Sequence, residues 1–260
     1  MDNNDKEMTF GGHLEALRQM LLRIISVAGI FAVVVFCFKD TTWDVLLAPS
    51  EWNFCTYRWI ESLVRSIGFT DFRFEEYHVD LIATDLSAQF MMHITTSVYL
   101  GLLCASPFVL YELFRFITPA LYENERKYSV RIAVVIYALF ILGVMMTYYI
   151  LFPISFRFLG TYSVAERIHS TITLDSYVET FTSLTLMMGV VFQLPVIAFI
   201  LAKMGLITYD ILSEYRKHAF ILILILAAVI TPPDVMTLLI VTVPLYMLYE
   251  VSIKIVKIVE

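Results

Sequence analysis

Charge is scarce in this chain. Asp, Glu, Lys and Arg make up 16% of its 260 residues, against about 25% in soluble domains. Hydrophobic residues reach 59% and the mean hydropathy is +0.77. An ordinary soluble domain is therefore excluded, and no separate one is expected anywhere along the chain. Glycine is also sparse: the 9 glycines are scattered, so no loop could cradle a phosphate. His-Glu-x-x-His and Gly-x-Ser-x-Gly are both missing, which removes the metalloprotease pair and the hydrolase elbow. The histidines His13, His78, His93, His169 and His218 do not cluster. His93, inside an apolar run, reads as a satisfied interior residue. Enzyme, metal centre, cofactor and nucleic-acid partner are not expected. The 3 cysteines are an odd number and make no self-contained disulfide set. Free thiols are the expectation, with a Cys37–Cys55 bridge in an oxidising outer compartment as the alternative. Residues 1–7 are acidic and no small-residue cleavage site precedes the first apolar run, so no cleavable signal peptide is expected. No repeat is visible, which weakens an inverted-repeat transporter reading.

What the chain does have is apolar runs near the length a membrane helix needs. Six spans are predicted: 20–38, 90–113, 132–156, 177–202, 219–230 and 235–251. Six place both termini on one side. One side collects twice as many of the 18 Lys and Arg as the other. Cations near spans concentrate on the cytoplasmic side, so both termini are expected there; the net charge of −6 does not enter that rule. The last two spans are short. About twelve residues make a helix of roughly 18 Å, against a hydrocarbon core of about 30 Å. Such a helix must lie beside longer ones, thin the bilayer or draw in water. The outer segment 39–89 is polar and aromatic; Trp52, Phe54, Tyr57 and Trp59 are expected to form an interfacial belt.

Three local patterns add detail. Residues 114–127 hold Glu123, Glu125, Arg115, Arg126 and Lys127 between two apolar runs. Thr118 is a suitable N-cap and Pro119 suits a first helical position, so a short helix should start there. Phe10, Leu14, Leu17 and Leu21 form one apolar stripe of a helix lying along the cytoplasmic surface and running into the first span. Glu15 and Arg18 lie off that stripe, three apart, and can pair. In Thr231-Pro232-Pro233-Asp234 two prolines stop one helix, and Asp234 can cap the next.

The first pattern resembles the first cytoplasmic loop of the TatC family, the multi-spanning core of the twin-arginine protein translocase. That family carries Phe-x-x-Pro-Ala-Leu-Tyr-x-x-Glu-Arg, which Phe116 through Arg126 match. The resemblance spans nearly the whole chain. Ala48-Pro49, Ala83-Thr84-Asp85, Phe152-Pro153 at the end of span three, the Thr231–Asp234 turn and Pro244 through Glu250 have counterparts in the same order. Two departures stand out. His13-Leu14-Glu15-Ala16-Leu17-Arg18 is similar to the family's His-Leu-x-Glu-Leu-Arg, with Ala16 where Glu is usual and Glu15 one residue earlier. In Gly189 through Pro195, Gln193 stands where Glu is common; its amide hydrogen-bonds but carries no charge.

The resemblance implies an all-α polytopic membrane protein with six transmembrane helices, short fifth and sixth spans and a concave, poreless bundle, as a single membrane domain over 1–260. It implies a receptor subunit in the bacterial cytoplasmic (inner) membrane that binds twin-arginine signal peptides of folded cargo. TatA-like and TatB-like single-span proteins would be partners, the subunit would form a homo-oligomer, and the proton-motive force would drive export. Two adjacent guanidinium forks call for carboxylates. Glu125 is the implied main acceptor, with Glu15, Arg18, Phe116, Pro119, Leu121, Tyr122 and Arg126 around it. Glu123 reads as a solvated charge. Arg126 and Lys127 orient the carboxylates, contact lipid phosphate or simply set topology. Gln193, Pro195, Thr231, Pro232, Pro233 and Asp234 are the expected partner or translocation residues; a hydrogen bond from Gln193 to bundle backbone freed by Pro195 and a plain capped hairpin are the blander readings. The competing function is a small-solute secondary transporter coupled through Glu112 or Glu179.

Overall fold

In the computed structural model, the residues described are 10–68, 73–117, 129–163, 165, 171–231 and 234–260. They form eleven helices: α1 Phe10–Cys37, α2 Lys39–Leu47, α3 Cys55–Ser66, α4 Ala88–Ile117, α5 Ser129–Met146, α6 Phe152–Thr161, α7 Leu174–Val191, α8 Leu194–Lys203, α9 Tyr209–Glu214, α10 Arg216–Ile230 and α11 Val235–Val259. The β-structure described is one short parallel pair, β1 Leu81–Ile82 with β2 Ile172–Thr173, in register Leu81 to Ile172. Among the described residues, five stretches are long and apolar enough to cross a membrane: Leu14–Cys37, Ala88–Phe116, Ile132–Thr161, Leu174–Lys203 and Val235–Val259. With α10 as the short fifth span, the count is six, and the molecule is an all-α polytopic membrane protein.

Boundaries differ from the sequence expectation where backbone chemistry decides them. The N-terminal stripe and span one are one unbroken helix, α1. Its 28 residues reach about 42 Å, more than a hydrocarbon core of about 30 Å, so its first turns extend past one face. No break separates a surface-lying helix from the span. Phe152-Pro153 does not end span three. Pro153 has no N–H for the carbonyl one turn back, and the chain absorbs this in a π turn, Thr147–Leu151, before continuing as α6. The carbonyl left over is that of Tyr149, and the Thr56 hydroxyl of α3 donates to it. Span four breaks at Phe192-Gln193, ahead of Pro195 in the first turn of α8. The sixth helix runs on to Val259, although its uncharged part ends at Tyr249, just before Glu250. That part is about 15 residues, or roughly 22 Å, so the apolar path remains short.

Two compact units are present: Met1–Cys37 with Ser97–Tyr137, and Phe38–Thr96 with Ala138–Glu260. The core of the second is aromatic. Phe152 meets Tyr177 and Phe181 edge-on, with centroids 5.1 and 5.0 Å away. Leu184, Met188, Ala227, Val241 and Leu245 continue it, all buried. Gly143 lets α5 approach α7, since a methyl there would lie 2.7 Å from the Met188 carbonyl oxygen.

The segment 39–89 belongs to the second unit and corrects the aromatic-belt expectation. Trp52 and Trp59 are exposed, but Tyr57 is 2% exposed and Phe54 packs on Tyr148 and Tyr149. The Tyr57 hydroxyl donates to the Pro153 carbonyl at 2.8 Å and lies 3.0 Å from the Tyr77 hydroxyl. The Arg157 guanidinium stacks over Tyr57, Phe74 and Tyr77 at 4.5–5.2 Å. Cys37, Cys55 and Cys104 are free thiols.

Candidate functional site

The charged end of the first unit is built by α1 and α4. Near its start α1 carries Glu15, 54% exposed, with Arg18 Nη1 at 3.6 Å. Gln19 Nε2 donates to Glu15 Oε1 at 3.2 Å. The i,i+3 pairing read from spacing is therefore present, and it is a surface pair of the kind that contributes little to stability. Its carboxylate keeps access to solvent. On α4, Phe116 stands half-buried in the last turn. Pro119, Leu121, Tyr122, Glu123, Glu125, Arg126 and Lys127 lie outside the described residues, as does the short helix expected from Thr118.

A feature the sequence reading undervalued lies one turn back from Phe116. Glu112 is buried, its side chain 7% exposed. Arg23 Nη1 of α1 approaches one of its oxygens at 3.5 Å, and Arg115 Nη1 approaches the other at 3.6 Å. Glu112 is one of the two carboxylates through which a small-solute transporter would couple. The charge is buried, but two cations neutralise it; Glu179, the other candidate, is exposed. The i,i+3 spacing of Glu112 and Arg115 was a visible signal, whereas Arg23 is reached only through the fold.

The residues expected to serve partners or translocation fall in the second unit. Gln193 precedes α8 and its Nε2 donates to the Gly189 carbonyl at 3.4 Å, one turn back in the chain; this is not the carbonyl that Pro195 leaves over, which is that of Val191 four residues before it. Pro195 is buried. Thr231 is buried at the C-terminus of α10, and its hydroxyl donates to the Ala227 carbonyl at 2.9 Å. Asp234 caps α11 as expected: Oδ1 accepts from the Thr237 backbone N–H at 2.6 Å. Pro232 and Pro233 lie outside the described residues. At the other end of α11, Arg216 grips Glu250 with Nε and Nη2, each 3.2 Å away, and Tyr246 donates to the same carboxylate. Among the described residues no group of three or more His, Cys, Asp or Glu could hold a metal ion.

A multi-pass, overwhelmingly helical membrane protein with a buried Glu–Arg cluster and no metal-binding group among the described residues belongs to a class that includes membrane-embedded transport components. The profile of the family described as Sec-independent protein translocase protein (TatC) matches residues 12–244, and the chain belongs to that family. Among its relatives, a Sec-independent protein translocase protein TatC of Blattabacterium sp. subsp. Periplaneta americana (strain BPLAN) is 34% identical, over 98% of this chain and 97% of the relative. One from Carboxydothermus hydrogenoformans is 31% identical over 98% and 96%. A crystal structure described as twin arginine translocase receptor TatC shares the fold at a TM-score of 0.73 and 28% identity, covering 95% of this chain and 99% of that one. The family consists of protein-translocase components rather than enzymes. The chain is thus a multi-pass bacterial inner-membrane component of the Tat translocase, which works with other Tat components.

Proposed function

We propose that this chain is the receptor and core subunit of a twin-arginine translocase, acting as one membrane domain. It binds Arg-Arg signal peptides at the cytoplasmic face, where both termini lie. With TatA-like and TatB-like single-span partners, and in a homo-oligomer, it exports folded proteins using the proton-motive force. Glu125 is the main acceptor and Glu15 the second, with Arg18, Phe116, Pro119, Leu121, Tyr122 and Arg126 shaping the surface. The observation that carries the reading is a helix-borne carboxylate, Glu15, that stays open to solvent beside the end of a span. Its neighbours are a cation and an amide. An incoming guanidinium fork can replace such partners, because it matches a carboxylate in bidentate fashion where Lys cannot. Gln193 and Pro195 in the broken fourth span, and Thr231 through Asp234 at the hairpin turn, are the proposed partner and translocation residues. There the exposed side chains of Val235, Met236 and Leu239 offer a helix-sized apolar face.

The test is binding of an Arg-Arg signal peptide and of its Lys-Lys version to the purified subunit in lipid nanodiscs. Preference for Arg-Arg, lost on Glu125→Ala, is expected. Equal binding of the two peptides by the wild type would defeat the reading.

A further inference from the structure

Two contacts fix α1 against α4 in the first unit. At one, Gly101 lies so close to α1 that a methyl on it would come within 2.5 Å of the Ala32 backbone nitrogen; a residue without a side chain is what permits the approach. At the other, Arg23 reaches Glu112. Arg23 to Ala32 is about 14 Å along α1, and Glu112 back to Gly101 is about 16 Å along α4. The two contacts therefore agree on one antiparallel register. Continued the other way, that register brings Arg18 level with the last turn of α4 and Glu15 just past its end. The chain then enters residues 118–128, which carry Glu125. The ion pair lies nearer this end than the glycine contact does.

The burial pattern gives the pair its directing power. Glu112 is 7% exposed, whereas Arg23 and Arg115 are 51% and 62% exposed. The anion is fixed and the cations reach in to it. Losing Arg23 leaves one oxygen of the buried carboxylate without its cation and Arg115 alone to balance the charge, so α1 is favoured where Arg23 can reach, and register setting is the best-attested use of such buried pairs. A one-residue slip of α1 would shift Glu15 by 1.5 Å and turn it by about 100°.

We propose that Glu112 is a positioning residue for signal recognition: its pairing with Arg23 sets the α1–α4 register and so where Glu15 stands relative to the end of α4. The inference rests on the recognition role proposed above. Two adjacent guanidinium groups demand a set spacing of acceptors, so a loosened register should lower affinity without removing either recognition carboxylate.

The test combines peptide binding with distance measurement in nanodiscs. Glu112→Gln and Arg23→Gln should each weaken Arg-Arg peptide binding by about 2- to 30-fold. The double variant should be no worse than the weaker single one, because both break the same pair. Arg23→Lys should bind normally, since a single contact at 3.5 Å needs charge and reach rather than a fork. Nitroxides at Leu14→Cys and Tyr111→Cys, with the native cysteines replaced by serine, should show a broadened distance distribution in Glu112→Gln. If that variant accumulates poorly, Arg23→Gln at an exposed position carries the same comparison. Unchanged affinity in both single variants overturns the proposal. So does lost affinity with an unchanged distance distribution, which would make Glu112 a direct contact. Equal Arg-Arg and Lys-Lys binding by the wild type would instead remove the recognition reading, leaving the register claim to the label distances alone.

Discussion

Glu15 and Glu112 are both carboxylates paired with arginine, and burial separates their roles. An exposed pair is screened by water and exchanges partners readily; a buried one cannot lose its cation cheaply. That contrast sets the residue-scale prediction for the recognition carboxylates. A charge-assisted hydrogen bond contributes about 1.5–3 kcal/mol, or roughly ten- to over a hundred-fold in affinity. Glu125→Ala should cost that much in Arg-Arg peptide binding and stop export of a folded Arg-Arg reporter at normal protein level. Glu125→Gln should fail nearly as badly, because the amide keeps one acceptor and loses the charge. Glu123→Ala should do much less. Glu15→Ala is the informative variant: a severe loss shows that Glu15 reaches the site from its shifted register. Normal export by Glu125→Ala at normal abundance would end the proposed mechanism.

At the scale of elements, α3 is tied to the π turn and to α6 by side chains rather than by backbone. Burial pushes the Tyr57 phenol well above its ordinary value, and the Tyr77 hydroxyl beside it adds to the rise, while Arg157 opposes it. Tyr77 is raised as well, again by burial first. A folded-state value above the unfolded one means the stabilisation is complete below pH about 10 and is lost as pH rises beyond it. Tyr57→Phe should therefore cost about 1–2 kcal/mol near neutral pH and flatten the alkaline fall. Thermal unfolding in detergent between pH 7 and 11, followed by tryptophan fluorescence, reads both effects; an identical alkaline slope in wild type and variant would contradict the assignment. The α10–α11 hairpin makes a second element-scale prediction. Met236 and Leu239 are exposed, whereas Thr237 is fully buried. A photocrosslinker at Met236 should capture a TatA-like or TatB-like helix. Capture of lipid alone there, with partners captured from α4, would move the docking edge elsewhere.

For the whole molecule the open quantity is orientation. The cation asymmetry argues that both termini and residues 118–128 face the cytoplasm, and that the Thr231–Asp234 turn faces outward. With the three native cysteines replaced, a membrane-impermeant maleimide should label Asp234→Cys in intact cells. It should label Asn124→Cys only after permeabilisation. The reverse pattern would invert the topology and remove the recognition surface from the side where cargo is made.

The existence of six spans, the Asp234 cap and the Glu15–Arg18 pair were all legible in the sequence. Each depends on chemistry local in the chain: apolar run length, a carboxylate before a helix, and spacing around one helical turn. Family membership was legible for the same reason, since the Phe116–Arg126 motif is contiguous. Where span three ends was not legible. Pro153 reads as a stop, but Thr56, far away in sequence, satisfies the carbonyl that Pro153 leaves over, and the helix continues. Aromatic content predicted a belt in the outer segment, yet only tertiary packing sent Tyr57 inward under Arg157 and left Trp59 outside. Glu112 is the clearest case. One of its arginines is three residues away and visible in the sequence; the other, Arg23, is on a different helix. Whether a carboxylate is a solvated charge or a buried anchor depends on what packs around it, and that was decided by the tertiary structure.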